Sequence, residues 1–192
     1  MDIAALIFPA VVAGFGVWIA AAIMWMFSGI HNKDVNPLPD EAGFLEHLKG
    51  QNLPAGQYMW PNCQDRKDVN SDAFKARWKA GPWGTLNIMS GQPNFLRNLI
   101  GSFILYTLIA FAIAAAIASV LNGVHGAEVL VTCTWCQVFT PSLILAAAGY
   151  MAAPLCMDLF MGKQVRFMIT QSIDGLIYAG VTALVLTLMW PV

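Results

Sequence analysis

Apolar residues fall into four long blocks along the chain, separated by polar segments. The hydrocarbon core of a membrane is about 30 Å thick, and roughly 20 helical residues are needed to cross it. Each block exceeds this length, and the first two contain no charged residue, so we interpret all four as membrane-spanning helices. The predicted spans are Ile3–Phe27, Leu99–Leu121, Val129–Leu159 and Phe167–Trp190.

The composition of the whole chain agrees with this interpretation. Apolar residues make up 58% of the chain and charged residues 11%, whereas an ordinary soluble domain has about 45–50% and about 25%. A cleaved signal peptide would begin with a basic region. The chain begins with Met1-Asp2, an acidic residue where a basic region would be needed, so we expect the first block to be a permanent span.

Lys and Arg residues are distributed unevenly between the loops. All ten lie either between the first and second blocks or between the third and fourth. Positive residues near span ends are retained on the cytosolic side. We therefore predict that both loops are cytosolic and both termini lie on the outer side. The long loop carries eight basic and seven acidic residues, which does not indicate a surface for nucleic acid.

The segment between the first two blocks is too rich in aromatic residues to suit a disordered linker, because these side chains offer apolar surface for burial. We predict an all-α integral membrane protein, a bundle of four transmembrane helices with a small folded cytosolic loop domain between helices 1 and 2. The predicted boundaries are 1–28 for the first helix, 29–97 for the loop and 98–192 for the other three helices.

Short elements are predicted within the loop. Acidic residues after Pro39 and a glycine at Gly50 are typical of the start and end of a helix. A second helix is predicted over Ser71–Ala80, and a small two-stranded element over Gln57–Trp60 and Gly84–Met89.

Four aromatic residues of the loop are candidates for binding a partner, because Trp and Tyr are enriched at the energetic centres of protein interfaces. Trp and Tyr also settle at membrane interfaces without any partner, which is the alternative interpretation. The candidates are Tyr58, Trp60, Trp78 and Trp83.

Small residues recur at four-residue intervals in the predicted spans, and such rows let helix backbones approach closely in lipid. One interpretation is that the rows close a four-helix bundle on itself; the other is that one row docks another membrane subunit. The rows are Ala10 and Gly14; Gly16 and Ala20; Ala110, Ala114 and Ala118; and Gly175, Ala179 and Ala183.

The third block has about 31 residues, which is longer than the membrane core requires. We expect this helix either to tilt or to be interrupted at Pro141, because proline removes a helical hydrogen bond. Pro154 is expected to add a second bend.

Two loop motifs, GQYMWP at 56–61 and KAGPWG at 79–84, resemble those of a family of uncharacterised bacterial inner-membrane proteins. The resemblance implies four spans, a long first loop and a location in the bacterial inner (plasma) membrane. The chain departs mildly from the family at Trp60, where Phe is more common. No activity is implied, because motifs of Gly, Pro and aromatic residues shape turns.

Asp174 is the most informative single residue, because a carboxylate inside a span is costly and by default suggests a functional site. It is a candidate for relaying protons or pairing with a substrate. The alternative is a structural acid that bonds to Tyr178 one turn on, or pairs with Arg166 from the cytosolic edge. Asp158 lies nearer the edge, within reach of Lys163, and is interpreted as a boundary residue.

Cys133 and Cys136 form a C-x-x-C motif near the outer end of the third span, where an oxidising compartment permits a disulfide. Four-span enzymes that pass electrons from thiols to quinones use such pairs together with a second pair. The remaining cysteines, Cys63 and Cys156, do not form one. The alternative is two small buried side chains.

No other catalytic motif is found, and the sequence indicates no metal site and no particular cofactor. His31 and Asp34 lie together at the edge of the first span, but two ligands do not make a metal site.

The sequence favours a non-catalytic accessory subunit or assembly factor of a bacterial inner-membrane complex, with the lipid bilayer and other membrane subunits as partners. One alternative is a membrane thiol-disulfide/quinone oxidoreductase using Cys133 and Cys136. The other is a small-solute or proton transporter using Asp174.

Overall fold

The computed structural model describes residues 2–125 and 133–191 and is mostly helical, at 72%. Within these residues, four helices are long and apolar enough to cross a membrane, which confirms the prediction of a helical multi-pass protein. Residues 129–132 of the third predicted span lie outside the described residues. We number the helices span 1 (Ile3–Phe27), span 2 (Phe95–Gly123), span 3 (Trp135–Phe160) and span 4 (Val165–Leu188).

Span 1 changes its helical geometry along its length. It begins as a 3-10 turn over Ile3–Leu6, continues as an α-helix over Ile7–Ala22 and ends in a π turn over Ile23–Phe27. The α-helix of span 2 runs from Phe95 to His125. Gly123 keeps a helical conformation there instead of the left-handed one that commonly ends helices.

Span 3 contains two π turns, and each is followed closely by a proline. The π turns cover Trp135–Phe139 and Ala148–Ala152, and the α-helical segments cover Thr140–Ala147 and Ala153–Phe160. Pro141 and Pro154 have no N–H for the carbonyl four residues earlier. The wider π turns accommodate this loss, so the helix continues through both prolines. Of the two expectations for this long helix, a tilt or an interruption at Pro141, the interruption is therefore not found.

Span 1 packs against spans 2 and 4, and span 4 also packs against span 3. The small residues at these contacts are buried inside the chain, which favours the interpretation that the rows close the bundle on itself. A Cβ atom at Gly14 would lie 2.6 Å from the Cα of Thr107, so spans 1 and 2 touch there through their backbones. The buried small residues are Ala10, Ala13, Gly14, Ala110, Ala114, Ala118, Gly175, Ala179 and Ala183.

Residues 37–94 form a separate compact unit, which we call the loop domain. Residues 29–36, at the start of the predicted loop, belong to the same compact unit as the four spans. The loop domain contains helices over Glu41–Gln51 and Asp72–Ala80, a 3-10 helix over Arg66–Asn70, and antiparallel strands β1 (Gly56–Trp60) and β2 (Gly84–Ile88).

Local sequence explains the elements of the loop domain. The Asp40 side chain accepts a hydrogen bond from the Gly43 N–H (3.0 Å), and the Ser71 hydroxyl accepts one from the Phe74 N–H (3.2 Å). These caps satisfy N–H groups that have no partner within the helix.

The predicted helices and the predicted two-stranded element are confirmed. The first helix does not end at Gly50 as predicted but continues to Gln51, and Asn52 ends it in the left-handed conformation. The strand register pairs Trp60 with Gly84.

Candidate functional site

A buried cluster of charged side chains lies where the chain leaves span 1 and meets the start of span 4. The turn after span 1 contains Gly29, whose φ of 69° favours glycine, and a hydrogen bond from the Asp34 N–H to the His31 carbonyl (2.9 Å). This turn folds His31 back against the bundle, where the residue is only 9% exposed.

His31 lies between two carboxylates. Its Nδ1 is 2.8 Å from Asp34 Oδ2, and its Nε2 is 3.0 Å from Oδ2 of Asp174, a residue that is 1% exposed. The Nε2 contact is an ion pair without the alignment of a hydrogen bond. The ring of Trp25, in the π turn of span 1, stacks on the imidazole with a centroid distance of 4.0 Å and an interplanar angle of 4°.

Asp34 joins this turn to span 4. Its Oδ1 lies 3.2 Å from Arg166 Nε, and its Oδ2 accepts a hydrogen bond from the Thr170 hydroxyl (2.6 Å). Arg166 also donates from Nη2 to the Ile30 carbonyl (2.8 Å). The predicted pairing of Arg166 with Asp174 is therefore wrong. The two residues are eight positions apart, about 12 Å along a helix. The guanidinium of Arg166 instead contacts the carboxylate of Asp34.

The ionisation of Asp34 determines which nitrogen of His31 can exchange a proton. Burial alone would raise the pKa of Asp34, but hydrogen bonds from Thr170 and His31, together with the charges of His31 and Arg166, lower it below its ordinary value. An ionised carboxylate only accepts hydrogen bonds, so Nδ1 carries a proton toward Asp34. The exchangeable proton therefore lies between Nε2 of His31 and Asp174.

A row of polar side chains continues from this cluster into the bundle. Thr170, Asp174, Tyr178 and Thr182 recur every four residues along span 4, and all four are buried. Residues four apart share one face of a helix, and the row covers about 18 Å at 1.5 Å per residue. Polar residues in a span normally face the bundle interior. The row therefore provides a polar face inside the bundle.

Three tyrosine rings meet beside this row. Tyr178 lies 5.8 Å from Tyr106 of span 2 and 5.9 Å from Tyr150 of span 3, measured between ring centroids. Tyr150 occupies the second π turn of span 3. The buried hydroxyls of Tyr150 and Thr182 face each other without regular hydrogen-bond geometry. Those of Thr107 and Ser142 are buried with no hydrogen-bond partner among the described residues. Unpaired hydroxyls inside a bundle are costly, and water between them would complete their hydrogen bonds.

Cys133 and Cys136 form a disulfide at the start of span 3. The Cys136 N–H donates a hydrogen bond to the Cys133 sulfur (3.2 Å), and the Gln137 N–H donates to the Cys133 carbonyl (2.9 Å). Cys63 and Cys156 are free thiols. The structure thus pairs the two redox candidates and leaves them apart from the charged cluster, which lies at the other end of span 3.

The four aromatic candidates of the loop domain differ in their surroundings. Tyr58 is half-buried and donates its hydroxyl proton to the Pro54 carbonyl (2.7 Å). Trp60 covers Gly84 across the two strands, where the nearest indole atoms leave no room for a Cβ atom. Trp83 donates from Nε1 to the Trp78 carbonyl (2.7 Å). The three tryptophans nevertheless remain between 42% and 60% exposed, and partner binding by this surface stays a prediction.

The sequence pointed to Asp174, Tyr178 and Arg166 but not to the turn that brings their neighbours together. The sequence did bring His31 and Asp34 together, but only as an incomplete set of metal ligands. The missed signal is Thr170 and Thr182 in four-residue spacing with Asp174. Within the described residues, no three His, Cys, Asp or Glu side chains form a group that could hold a metal ion. Both nitrogens of His31 already face carboxylates.

Searches against models of protein families, against curated proteins and against solved structures find no match to this chain.

Proposed function

We propose that the protein carries protons through its four-helix bundle, with the His31 and Asp174 pair as the site that loads and releases the proton. The observation that carries the proposal is the contact of 3.0 Å between His31 Nε2 and Asp174 Oδ2, both buried. A proton at this contact belongs either to the imidazolium or to the carboxylic acid. Such pairs relay protons in membrane proteins.

Two further features support proton transfer over a purely structural ion pair. Asp34 is held by Arg166 and Thr170, so it orients His31 and its own charge is compensated. Asp174 also faces Trp25 and Tyr178, but among the described residues no contact to its carboxylate has regular hydrogen-bond geometry, so it is held less rigidly than Asp34. The polar row and the three tyrosines then continue from Asp174 toward the opposite end of the bundle, which is the direction that transport requires.

Replacing Asp174 by Asn tests this function in liposomes that contain the purified protein and a pH-sensitive dye. We expect wild-type protein to dissipate an imposed pH gradient faster than protein-free vesicles. Asp174→Asn and His31→Gln should each slow this rate about tenfold or more, an added barrier of about 1.4 kcal/mol, because neither side chain can then pass the proton on.

Asp158→Asn is the matched control, since it makes the same change in a boundary residue outside the cluster. It should leave the rate unchanged. Circular dichroism and gel filtration establish that each variant is folded. Flux no greater than in protein-free vesicles, or equal flux from Asp174→Asn and wild type, would contradict the proposed function.

The orientation belongs to the same proposal. We infer that the loop end of the bundle, with Arg166 and the loop domain, lies in the bacterial cytosol and that both termini lie in the periplasm. The support is the restriction of all ten Lys and Arg residues to two loops and the span ends that flank them, which include Arg97 and Arg166. Single cysteines at Lys49 and Lys163, placed in a cysteine-free background, should both resist an impermeant maleimide in intact cells and react in inverted vesicles. Labelling from opposite sides would overturn the topology.

The accessory-subunit role expected from the sequence stays a prediction. One of its arguments has lost support, because three of the four small-residue rows are buried within the chain. The fourth row, Gly16 and Ala20, is only partly buried. Its other argument is that the exposed tryptophans of the loop domain could bind a partner. Such binding is compatible with proton transfer in the bundle. Co-purification of further subunits in mild detergent would support the accessory-subunit role. That result would not change the interpretation of the liposome measurement.

A further inference from the structure

The surroundings of the disulfide at the start of span 3 favour thiol–disulfide exchange. Cys136 is exposed, whereas Cys133 is partly buried at the first turn of the helix. The Cys136 N–H points at the Cys133 sulfur (3.2 Å). Cys136 is therefore accessible from outside the bundle at this end of span 3. The Cys133 sulfur already has a hydrogen-bond donor that would stabilise it as a thiolate.

These two properties match the two requirements of thiol–disulfide exchange. An incoming thiolate needs an accessible sulfur, and the departing sulfur leaves faster when its thiolate is stabilised. The position of Cys133 adds a second stabilising effect, because negative charge is favoured at the N-terminus of a helix. Span 3 continues for 26 residues from Trp135, so this helix terminus is not a short turn.

We propose that Cys133 and Cys136 form a thiol–disulfide exchange site that oxidises a cysteine pair of another protein. In the first step, a thiolate of the partner attacks Cys136 Sγ, a mixed disulfide forms, and Cys133 leaves as a thiolate. In the second step, the thiolate of the partner's second cysteine attacks the sulfur of the partner's first cysteine in the mixed disulfide, and Cys136 leaves as a thiolate. Two electrons and two protons pass from the partner's dithiol, which becomes a disulfide, to the pair Cys133 and Cys136.

The partner's thiols come from another molecule because this chain has no second pair to supply them. Cys63 lies in the loop domain, and Cys156 lies near the opposite end of span 3 from the disulfide. The chain has four cysteines in all. A dedicated protein with two cysteines fits the exposed position of Cys136 at a helix end, where a partner surface can approach.

The test uses full-length protein in detergent with Cys63 and Cys156 replaced by Ser, so that only the pair contributes thiols. Mixtures of reduced and oxidised glutathione serve as the probe, and a maleimide that adds mass counts free thiols on a gel. We expect the folded protein to reach equilibrium with glutathione within minutes at neutral pH. Treatment with dithiothreitol should then expose two thiols without denaturant.

Single variants separate exchange from a merely structural disulfide. Cys133→Ser leaves Cys136 free, and this variant should form a mixed disulfide with oxidised glutathione at least about fivefold more completely than Cys136→Ser, since Cys136 is the accessible sulfur. A reduced glutaredoxin supplies the protein dithiol and should be oxidised by the wild-type pair but by neither single variant. A disulfide that dithiothreitol reaches only after denaturation, or equal modification of the two variants, would overturn the proposal.

Discussion

Gly175→Val should push spans 3 and 4 apart and strongly destabilise the folded protein. A Cβ atom at this position would lie 2.9 Å from the Tyr150 carbonyl oxygen and 2.9 Å from Met151 Cβ. The first obstacle is backbone, which cannot rotate away. We expect a loss of about 3 kcal/mol.

Gly180→Val is the control within the same helix. Nothing lies within 4 Å of a Cβ atom built at Gly180, so the same side chain meets open space there. The measurement is the midpoint of unfolding by SDS in mixed micelles, followed by circular dichroism. The midpoint should fall sharply for Gly175→Val and stay close to wild type for Gly180→Val. Equal midpoints for the two variants would show that spans 3 and 4 do not pack as described.

Asp34→Ala should be the most destabilising change within the charged cluster. It removes the acceptor of the Thr170 hydrogen bond and the partner of both His31 Nδ1 and Arg166 Nε. Removing one member of a buried charge pair leaves the other uncompensated and typically costs about 3 kcal/mol. The Arg166 side chain is 47% exposed, so most of the loss should come from His31 and Thr170. Asp158→Ala should change the unfolding midpoint little.

The same carboxylate predicts how stability depends on pH. The pKa of Asp34 is lower in the folded protein than the ordinary value of 3.8 expected for an unfolded chain. Its stabilisation is therefore complete above about pH 3.8 and is lost as the pH falls through the folded pKa. The difference in unfolding midpoint between wild type and Asp34→Asn should therefore persist at pH 5 and shrink as the pH falls below 3.8. If the difference in unfolding midpoint has already disappeared at pH 5, the assignment of a lowered pKa to Asp34 is contradicted.

Several features followed directly from the sequence because their cause is local. The four spans depend on the length and apolar composition of each block, and neither requires knowledge of a neighbour. The helices of the loop domain begin at Asp40 and Ser71, whose side chains cap the next turn of their own chain. The prediction of a charged site in span 4 was possible because a carboxylate in lipid is costly wherever it lies.

The partners of that carboxylate were decided only by the tertiary structure. Arg166 is nearer to Asp174 in sequence than His31 is, yet a glycine turn after span 1 brings His31 into contact and leaves Arg166 to Asp34. Thr170 and Thr182 are unremarkable as residues and become significant only because span 4 turns them inward with Asp174. Sequence determines what must leave water and what forms a helix, since these are properties of single segments. Which polar groups meet inside the bundle depends on how separate segments rotate and pack against one another.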